Sequence, residues 1–127
     1  MQVKGLDGKL HNWKLSGHLN NSRTVSSNHS EVRTLLKAKF PFDLILEEVY
    51  LPGSKLFCDF YVPNYKLMIE VHGEQHYKFT PFFHKTRLDF LKGQKRDRDK
   101  EEWAISNGIT FIKINATKNI QEQVNLL

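Results

Sequence analysis

The chain has 127 residues, a length that suits one domain and is too short for a catalytic domain beside a second large one. Nineteen Lys and Arg against 14 Asp and Glu give a net charge of +5, which favours nucleic acid as a partner, although such a balance also aids solubility. The single cysteine excludes an intrachain disulfide, and no segment approaches the ~20 apolar residues of a membrane span. Because the first residues lack the apolar core of a signal peptide, we expect a cytoplasmic protein of a bacterium or a phage-infected cell.

Residues 1–22 predict a polar arm that precedes a domain over residues 23–127. Asp7-Gly8 is a turn pair, so a small hairpin and an extended arm are both compatible with this segment. We expect Trp13 and Lys14 to reach along a DNA groove, as flexible basic arms do elsewhere. Trp13 could equally anchor the arm to the core.

The next segment predicts a helix followed by a strand. Asn28 can cap the helix, with Glu31 three residues later in the position of a capping box, and Pro41 ends it. Residues 43–51 are rich in β-formers and predict the first strand of the domain.

A β-hairpin then follows, built from two alternating strands at residues 57–62 and 67–72 with a polar turn between them. Pairing the end of the first strand with the start of the second sets Asp59 opposite Glu70, with Cβ atoms about 5 Å apart. Two like charges so placed destabilise a sheet unless a cation neutralises them. By strand parity His72 shares this face, so the hairpin predicts a metal site.

The rest of the chain predicts a loop, a long helix, a strand and a tail. Residues 78–86 place aromatic and basic side chains in the loop, and residues 87–107 form a charged helix that Gly108 closes in a left-handed conformation. Residues 109–114 predict the last strand, and residues 115–127 at most a short helix.

This order of elements resembles the PD-(D/E)XK nuclease superfamily, and within it the branch of the very-short-patch-repair endonuclease and related phage homing endonucleases. The likeness covers about residues 28–114 and is carried by Asp59, by the run EVHGEQH at residues 70–76, and by Asp97 eleven residues before Gly108. It implies a restriction-endonuclease-like α/β fold with a mixed central sheet of about four strands flanked by helices.

The resemblance implies a Mg²⁺-dependent endonuclease, phage-encoded or of homing type, that nicks or cuts duplex DNA. Asp59 would hold Mg²⁺, for which Mn²⁺ could substitute, with Glu70 or the backbone carbonyl of Val71 as a second ligand. Such a metal neutralises charge at the phosphate and activates water. His72 replaces the lysine expected two positions after Glu70, and either His72 or His76 would act as the general base.

The resemblance also implies supporting roles for two further carboxylates. Asp97, with Asp99 as the fallback, would orient the base, and Glu31 would act from the first helix. Each has a plainer explanation, because residues 95–102 are almost wholly charged, as on any solvated helix face, and Glu31 suits a capping box.

A competing interpretation of the hairpin is a zinc site at His72, Glu74 and His76, since imidazole and carboxylate are zinc ligands. No cysteine or further ligand completes that set in the sequence. We therefore expect no structural zinc.

Basic and aromatic residues between the hairpin and the long helix predict how DNA would be held. Cations there contact phosphates, and Phe79, Phe82 and Phe83 are candidates for a wedge inserted into a base step. Phe82 or Phe83 could as well pack beneath the loop. The predicted phosphate-contacting residues are Lys78, Lys85, Arg87, Lys92, Lys95, Arg96 and Arg98.

Two other functions are compatible with the same residues. One is a non-catalytic DNA-binding module that keeps the fold, which the missing lysine favours. The other is a structure-specific nuclease that acts on branched DNA or RNA. In each case we expect a nucleic-acid partner, double-stranded DNA first, no membrane association, and a monomer or a homodimer.

Overall fold

A computed structural model describes residues 1–15, 18–19, 25–80 and 84–127. The strands are β1 (Gln2–Lys4), β2 (Leu10–Asn12), β3 (His18–Leu19), β4 (Leu46–Leu51), β5 (Leu56–Val62), β6 (Leu67–His72) and β7 (Thr110–Asn115). The helices are α1 (Ser27–Lys39), α2 (Arg87–Ser106) and α3 (Ile120–Asn125), and short 3-10 turns cover Pro63–Tyr65 and Glu74–His76.

The central sheet has five strands in the order β3-β4-β5-β6-β7, and a separate hairpin joins β1 to β2. Neighbouring strands of the sheet are antiparallel except β6 and β7, which are parallel. This confirms an α/β fold with a mixed sheet between helices, to which the two-residue edge strand β3 adds a fifth strand. None of the described helices has the length and apolar content needed to cross a bilayer.

Two apolar clusters cover the two faces of the sheet. One contains Met68 of β6 with Trp103 of α2, and the other contains Ile69 of β6 with Val32 of α1 and Val124 of α3. Since neighbouring residues of a strand point to opposite faces, α2 lies on one side of the sheet and α1 and α3 on the other. The result is a three-layer arrangement in which both faces of β6 pack against helices.

The N-terminal hairpin belongs to the α2 side of the core. Val3 and Trp13 are 1% and 4% exposed, and the Trp13 indole donates a hydrogen bond to the Tyr50 carbonyl at 3.0 Å. The ring of Trp13 also meets Trp103 edge-on at 5.1 Å. The prediction that Trp13 contacts DNA is therefore wrong, because its ring is enclosed by the core, and the anchoring alternative is what the structure shows.

The start of α1 differs from its prediction. The N-cap is Ser26, whose hydroxyl accepts from the His29 amide at 3.3 Å, so Asn28 lies within the first turn and forms no capping box with Glu31. The helix ends at Phe40 before Pro41, as predicted. The earlier start therefore has a local cause, the Ser26 cap.

A buried ionic group joins α1 to β4. Glu47 is 0% exposed, and its carboxylate lies 2.6 Å from His29 Nε2 and accepts from Arg33 Nε at 3.0 Å and Nη2 at 2.9 Å. His29 and Arg33 are four residues apart and share one helix face. Both side chains therefore reach the same carboxylate on β4.

The remaining boundaries follow their local chemistry. β4 begins three residues later than predicted, because residues 41–43 form a turn in which the Asp43 amide donates to the Phe40 carbonyl. Thr86 caps α2 in a capping box with Asp89, and Gly108 has φ 68°, the left-handed conformation predicted for it.

Replacing Glu47 by alanine should lower the free energy of unfolding by about 3–5 kcal/mol, because it leaves the buried Arg33 guanidinium without its carboxylate. Urea unfolding followed by circular dichroism measures this. Glu31→Ala on the exposed side of α1 is the matched control and should change stability by less than about 0.5 kcal/mol. A loss under about 1 kcal/mol for Glu47→Ala would show that the group contributes little to folding.

Candidate active site

The β5–β6 ladder has the predicted register, and its last backbone pair joins Phe60 to Ile69. Beyond that pair, side chains replace backbone acceptors. The Asp59 amide donates to Glu70 Oε2 at 2.7 Å, and the Val71 amide donates to Asp59 Oδ2 at 2.8 Å. The structure therefore places the two carboxylates side by side, as the sequence predicts.

The strict alternation predicted for β5 fails at Asp59. Cys58 packs into the α2-side cluster and Phe60 into the α1-side cluster, although residues two apart share a face in a regular strand. In the β4–β5 register Glu48 lies opposite Asp59, and its φ of 51° is in the left-handed region, which costs about 1–3 kcal/mol for a residue other than glycine. Both strands thus change facing at Asp59, and this interrupts the ladder there.

A lysine of α2 completes this group. Lys100 Nζ lies 2.6 Å from Glu70 Oε1, and Glu70 is only 1% exposed. Lys100 is not among the site residues predicted from the sequence. Its position one helical turn after Asp97 and one before the buried Trp103 would have indicated an inward-facing side chain.

Burial, and then the negative charge of Asp59, raise the pKa of Glu70 to about 8 against the opposing effect of Lys100. Burial alone would lower the pKa of Lys100, but Glu70 outweighs it and the Lys100 pKa is raised. Two carboxylates and one ammonium leave a net negative charge when all are ionised. A further cation would therefore stabilise the ionised form of the group.

The Val71 carbonyl is directed toward the same place. The even-numbered residues Lys66 and His72 use their carbonyls in the ladder with β7. In a strand the amide and carbonyl of one residue point to the same edge, so those of Val71 point to the β5 edge, where its amide meets Asp59. Carboxylate and carbonyl oxygens are the ligands Mg²⁺ prefers, so these residues fit such an ion.

A second group of side chains lies where β6 continues into the following turn. His76 Nδ1 is 2.9 Å from Asp97 Oδ2, and His72 Nε2 is 3.9 Å from Asp97 Oδ1. The two imidazoles stack, with centroids 4.1 Å apart and planes inclined by 6°. One ligand atom from each of the three residues lies within 4.8 Å of the others.

The two histidines differ in environment. His72 is 2% exposed, and its Nε2 has no hydrogen-bond partner within the described part of the chain, whereas 26% of the His76 side chain is exposed. Burial, and then the neighbouring His76, lower the pKa of His72 to about 4. Burial, the largest single effect, would raise the pKa of Asp97, but the hydrogen bond from His76 together with the charges of His76, His72 and Lys100 lowers it.

A surface cavity of about 230 Å³ opens beside these histidines. Two cationic side chains, Arg98 and Lys113, contribute to its wall. The residues that line it are His72, His76, Tyr77, Gln94, Asp97, Arg98 and Lys113.

Three other candidate residues lie apart from both groups. Glu31 is exposed on α1, across the sheet from α2. Asp99 pairs with Lys95 at 2.7 Å on the outer side of α2. Glu74, a ligand in the zinc interpretation, pairs instead with Lys78 at 2.7 Å, and Asp97 takes its place beside the histidines.

The predicted DNA-contacting residues differ in exposure: the cations are exposed, whereas Phe79 is partly buried. Phe79 is partly buried, stacks near His84 and carries the Arg87 guanidinium over its ring at 5.1 Å. Phe82 and Phe83 lie outside the described residues. The exposed cations of this set are Lys14, Lys78, Lys85, Arg87, Lys92, Lys95, Arg96 and Arg98.

No protein-family model matches the chain, and no solved structure matches it. Two curated proteins are similar to parts of it. The uncharacterized protein 307L of Invertebrate iridescent virus 6 is 42% identical over 59 residues, and the uncharacterized protein 033L of Invertebrate iridescent virus 3 is 31% identical over 72 residues. These segments are 46% and 57% of this chain but only 30% and 37% of the relatives, so the chain matches about a third of their length.

In EDTA, the contribution of His72 to stability should fall by up to about 3 kcal/mol as the pH drops from about 6.5 to about 4, while Glu70, whose raised pKa makes the folded state bind the extra proton below about pH 8, contributes in the opposite sense. Unfolded His72 takes up a proton near pH 6.5 and folded His72 only near pH 4, so in this window the unfolded state binds more protons. Urea unfolding at stepped pH measures the stability of both proteins, and the stability difference between the unchanged protein and His72→Asn isolates the His72 contribution, which should shrink as the pH falls through this window. Parallel slopes for the two proteins would contradict the assignment.

Proposed function

We propose that the chain is a metal-dependent endodeoxyribonuclease of the PD-(D/E)XK type, with a restriction-endonuclease-like fold, that hydrolyses phosphodiester bonds of duplex DNA. One observation carries the proposal. The end of the β5–β6 ladder and one face of α2 bring a buried carboxylate pair, an ammonium and a histidine–aspartate pair together. Their sequence pattern is the one in which the chain resembles that superfamily.

Asp59 and the Val71 carbonyl, with Glu70 behind them, are the residues that would hold Mg²⁺, or Mn²⁺ in its place. Such an ion supplies charge neutralisation at the scissile phosphate and a lowered pKa for water. The raised pKa of Glu70 supports this assignment, because it shows a carboxyl group whose ionisation needs additional positive charge.

Of the two candidate bases, His76 fits better than His72. Its ring is partly exposed, and when Nδ1–H donates to Asp97 the lone pair of Nε2 is free to accept a proton. Asp97 holds the ring in that tautomer and stabilises the imidazolium that forms. His72 is enclosed and its pKa is lowered to about 4, so it is the weaker base.

Lys100 provides the ammonium that His72 cannot. The resemblance assigns a lysine to the position two residues after Glu70, and here the charge reaches Glu70 from α2 instead. A fixed ammonium in a partly buried site stabilises negative charge that develops at a phosphate.

The exposed cations of α2 and of the loop before it are proposed to hold the DNA backbone, with salt-sensitive affinity. Their contacts position the duplex and need not read its sequence. Phe79 packs against His84 and Arg87, which favours a supporting role for it over insertion between bases.

Nicking of supercoiled plasmid tests the proposal. Cleavage should need Mg²⁺, stop in EDTA and fall by at least about 100-fold in Asp59→Ala and Asp97→Asn, because each removes a group that holds the metal or orients the base. Asp99→Asn, two residues away on the outer side of α2, is the matched control and should cleave like the unchanged protein.

The alternative outcomes discriminate among functions. DNA binding without cleavage, unchanged by EDTA and by Asp59→Ala, would replace the nuclease with a binding module. Cleavage of branched DNA or RNA in preference to linear duplex would favour a structure-specific nuclease. Cleavage that survives Asp59→Ala would place the site elsewhere.

Replacing Lys100 by methionine should lower the cleavage rate about 100-fold or more while leaving DNA affinity within about threefold, because the lost charge acts at the reacting phosphate. Lys95→Met removes an exposed cation of the proposed phosphate contacts from the same helix, so it should weaken DNA binding but retain the single-turnover rate at saturating protein. Single-turnover cleavage and filter binding measure the two quantities. A Lys100→Met protein with normal cleavage would restrict Lys100 to a structural role.

A further inference from the structure

We propose that His72, His76 and Asp97 form a second metal site that takes a borderline transition-metal ion such as Zn²⁺. The site is distinct from the oxygen ligands around Asp59. It does not depend on the proposed nuclease activity, since metal binding is a property of these three side chains.

The ligand chemistry separates the two sites. Two imidazole nitrogens and one carboxylate oxygen suit Zn²⁺ and related ions, whereas Mg²⁺ prefers oxygen ligands alone. The β5–β6 hairpin therefore presents an oxygen set at Asp59 and a nitrogen-rich set one residue beyond Val71.

The distances are close to those a bound ion requires. In a tetrahedral zinc site with bonds of 2.0–2.1 Å, neighbouring ligand atoms are about 3.3 Å apart. The histidine and Asp97 atoms lie 2.9 and 3.9 Å apart for His76 and His72 respectively, and the whole set lies within 4.8 Å. Binding of one ion requires the two imidazoles to turn out of their parallel stack, because an imidazole nitrogen binds a metal in the plane of its ring.

The orphaned nitrogen of His72 points to a missing ligand. A buried polar atom without a partner costs about 1–3 kcal/mol, and such atoms are rare in folded proteins. His72 Nε2 is in that condition within the described chain, although an aspartate oxygen and a second imidazole lie beside it. A metal ion shared with His76 and Asp97 satisfies it.

The fourth coordination position faces the cavity of about 230 Å³. Three protein ligands with one open position are the arrangement of a reactive rather than a closed structural zinc site. Arg98 and Lys113 line the same cavity, so their charge favours water or an anion as the fourth ligand.

The sequence pattern does not predict these three ligands as one set. His72 and His76 are four residues apart, but the third ligand is 21 residues beyond His76 and reaches the site from α2. Glu74, which lies between the histidines, is turned away to Lys78.

Titration of the full-length protein with Co²⁺ alone, followed by visible absorption, tests the site. We expect one equivalent to develop the intense bands of a four-coordinate ion and to be displaced by Zn²⁺, while Co²⁺ at the oxygen ligands around Asp59 would be six-coordinate and weakly absorbing. His76→Ala and Asp97→Asn should weaken binding by about 100-fold or more, beyond the loss of 10- to 100-fold that follows removal of an outer-shell partner. Asp99→Asn and Asp59→Asn should bind like the unchanged protein.

Circular dichroism and thermal unfolding in EDTA show whether each variant is folded. If Asp97→Asn does not fold, His76→Ala, at a partly exposed position, still tests the site. Absence of bound Co²⁺ overturns the proposal, as does binding that both site variants retain. Binding that Asp59→Asn removes also overturns it, because the ion would then sit at the oxygen ligands. Since no outcome uses cleavage, absence of bound metal leaves the nuclease proposal intact, whereas a bound ion would occupy the His76–Asp97 contact and exclude His76 as the general base while it is bound.

Discussion

The buried carboxylate of Glu70 beside Asp59 is the constraint on which the rest of this structure depends. A carboxyl group 1% exposed next to a second acidic side chain is unfavourable in any fold unless positive charge reaches it. Lys100 supplies part of that charge at 2.6 Å, and this fixes where α2 crosses the sheet. The position of one helix is thus tied to the electrostatics of one hairpin.

A single face of α2 carries the residues that contact the site and the core. Asp97, Lys100 and Trp103 follow one another at intervals of three residues, so one inward stripe carries a partner for His76, a partner for Glu70 and the largest buried side chain of the core. Asp99 belongs to the outer side with Lys95. Residues 95–102 therefore form both a solvated helix face and part of the site. Their outer residues face solvent, and their inner residues contact His76 and Glu70.

Short-range sequence patterns predict those features of the structure whose determinants lie within one segment. The register at Phe60 and Ile69 follows from period-two patterning and a four-residue turn, and Gly108 closes α2 because it adopts a positive φ. The late start of β4 and the Ser26 cap of α1 have local causes, whereas the other differences involve distant partners. Trp13 packs against Trp103, the Glu47 carboxylate joins β4 to His29 of α1, and Lys100 is recognisable only once α2 lies on β6. No periodicity within one segment contains these pairings.

The break in β5 at Asp59 shows how an interrupted ladder creates a site. Had β4, β5 and β6 stayed regular, backbone groups would have paired across Asp59 and its carboxylate would have had no amide to accept from. Because both strands change facing there, the amides of Asp59 and Val71 are left to side-chain carboxylates, and the Val71 carbonyl is turned to the same edge. The left-handed backbone of Glu48, which costs folding energy, lies opposite this interruption of the ladder. An interruption of the ladder between two central strands, rather than a loop on the surface, thereby presents the oxygen atoms that the proposed chemistry requires.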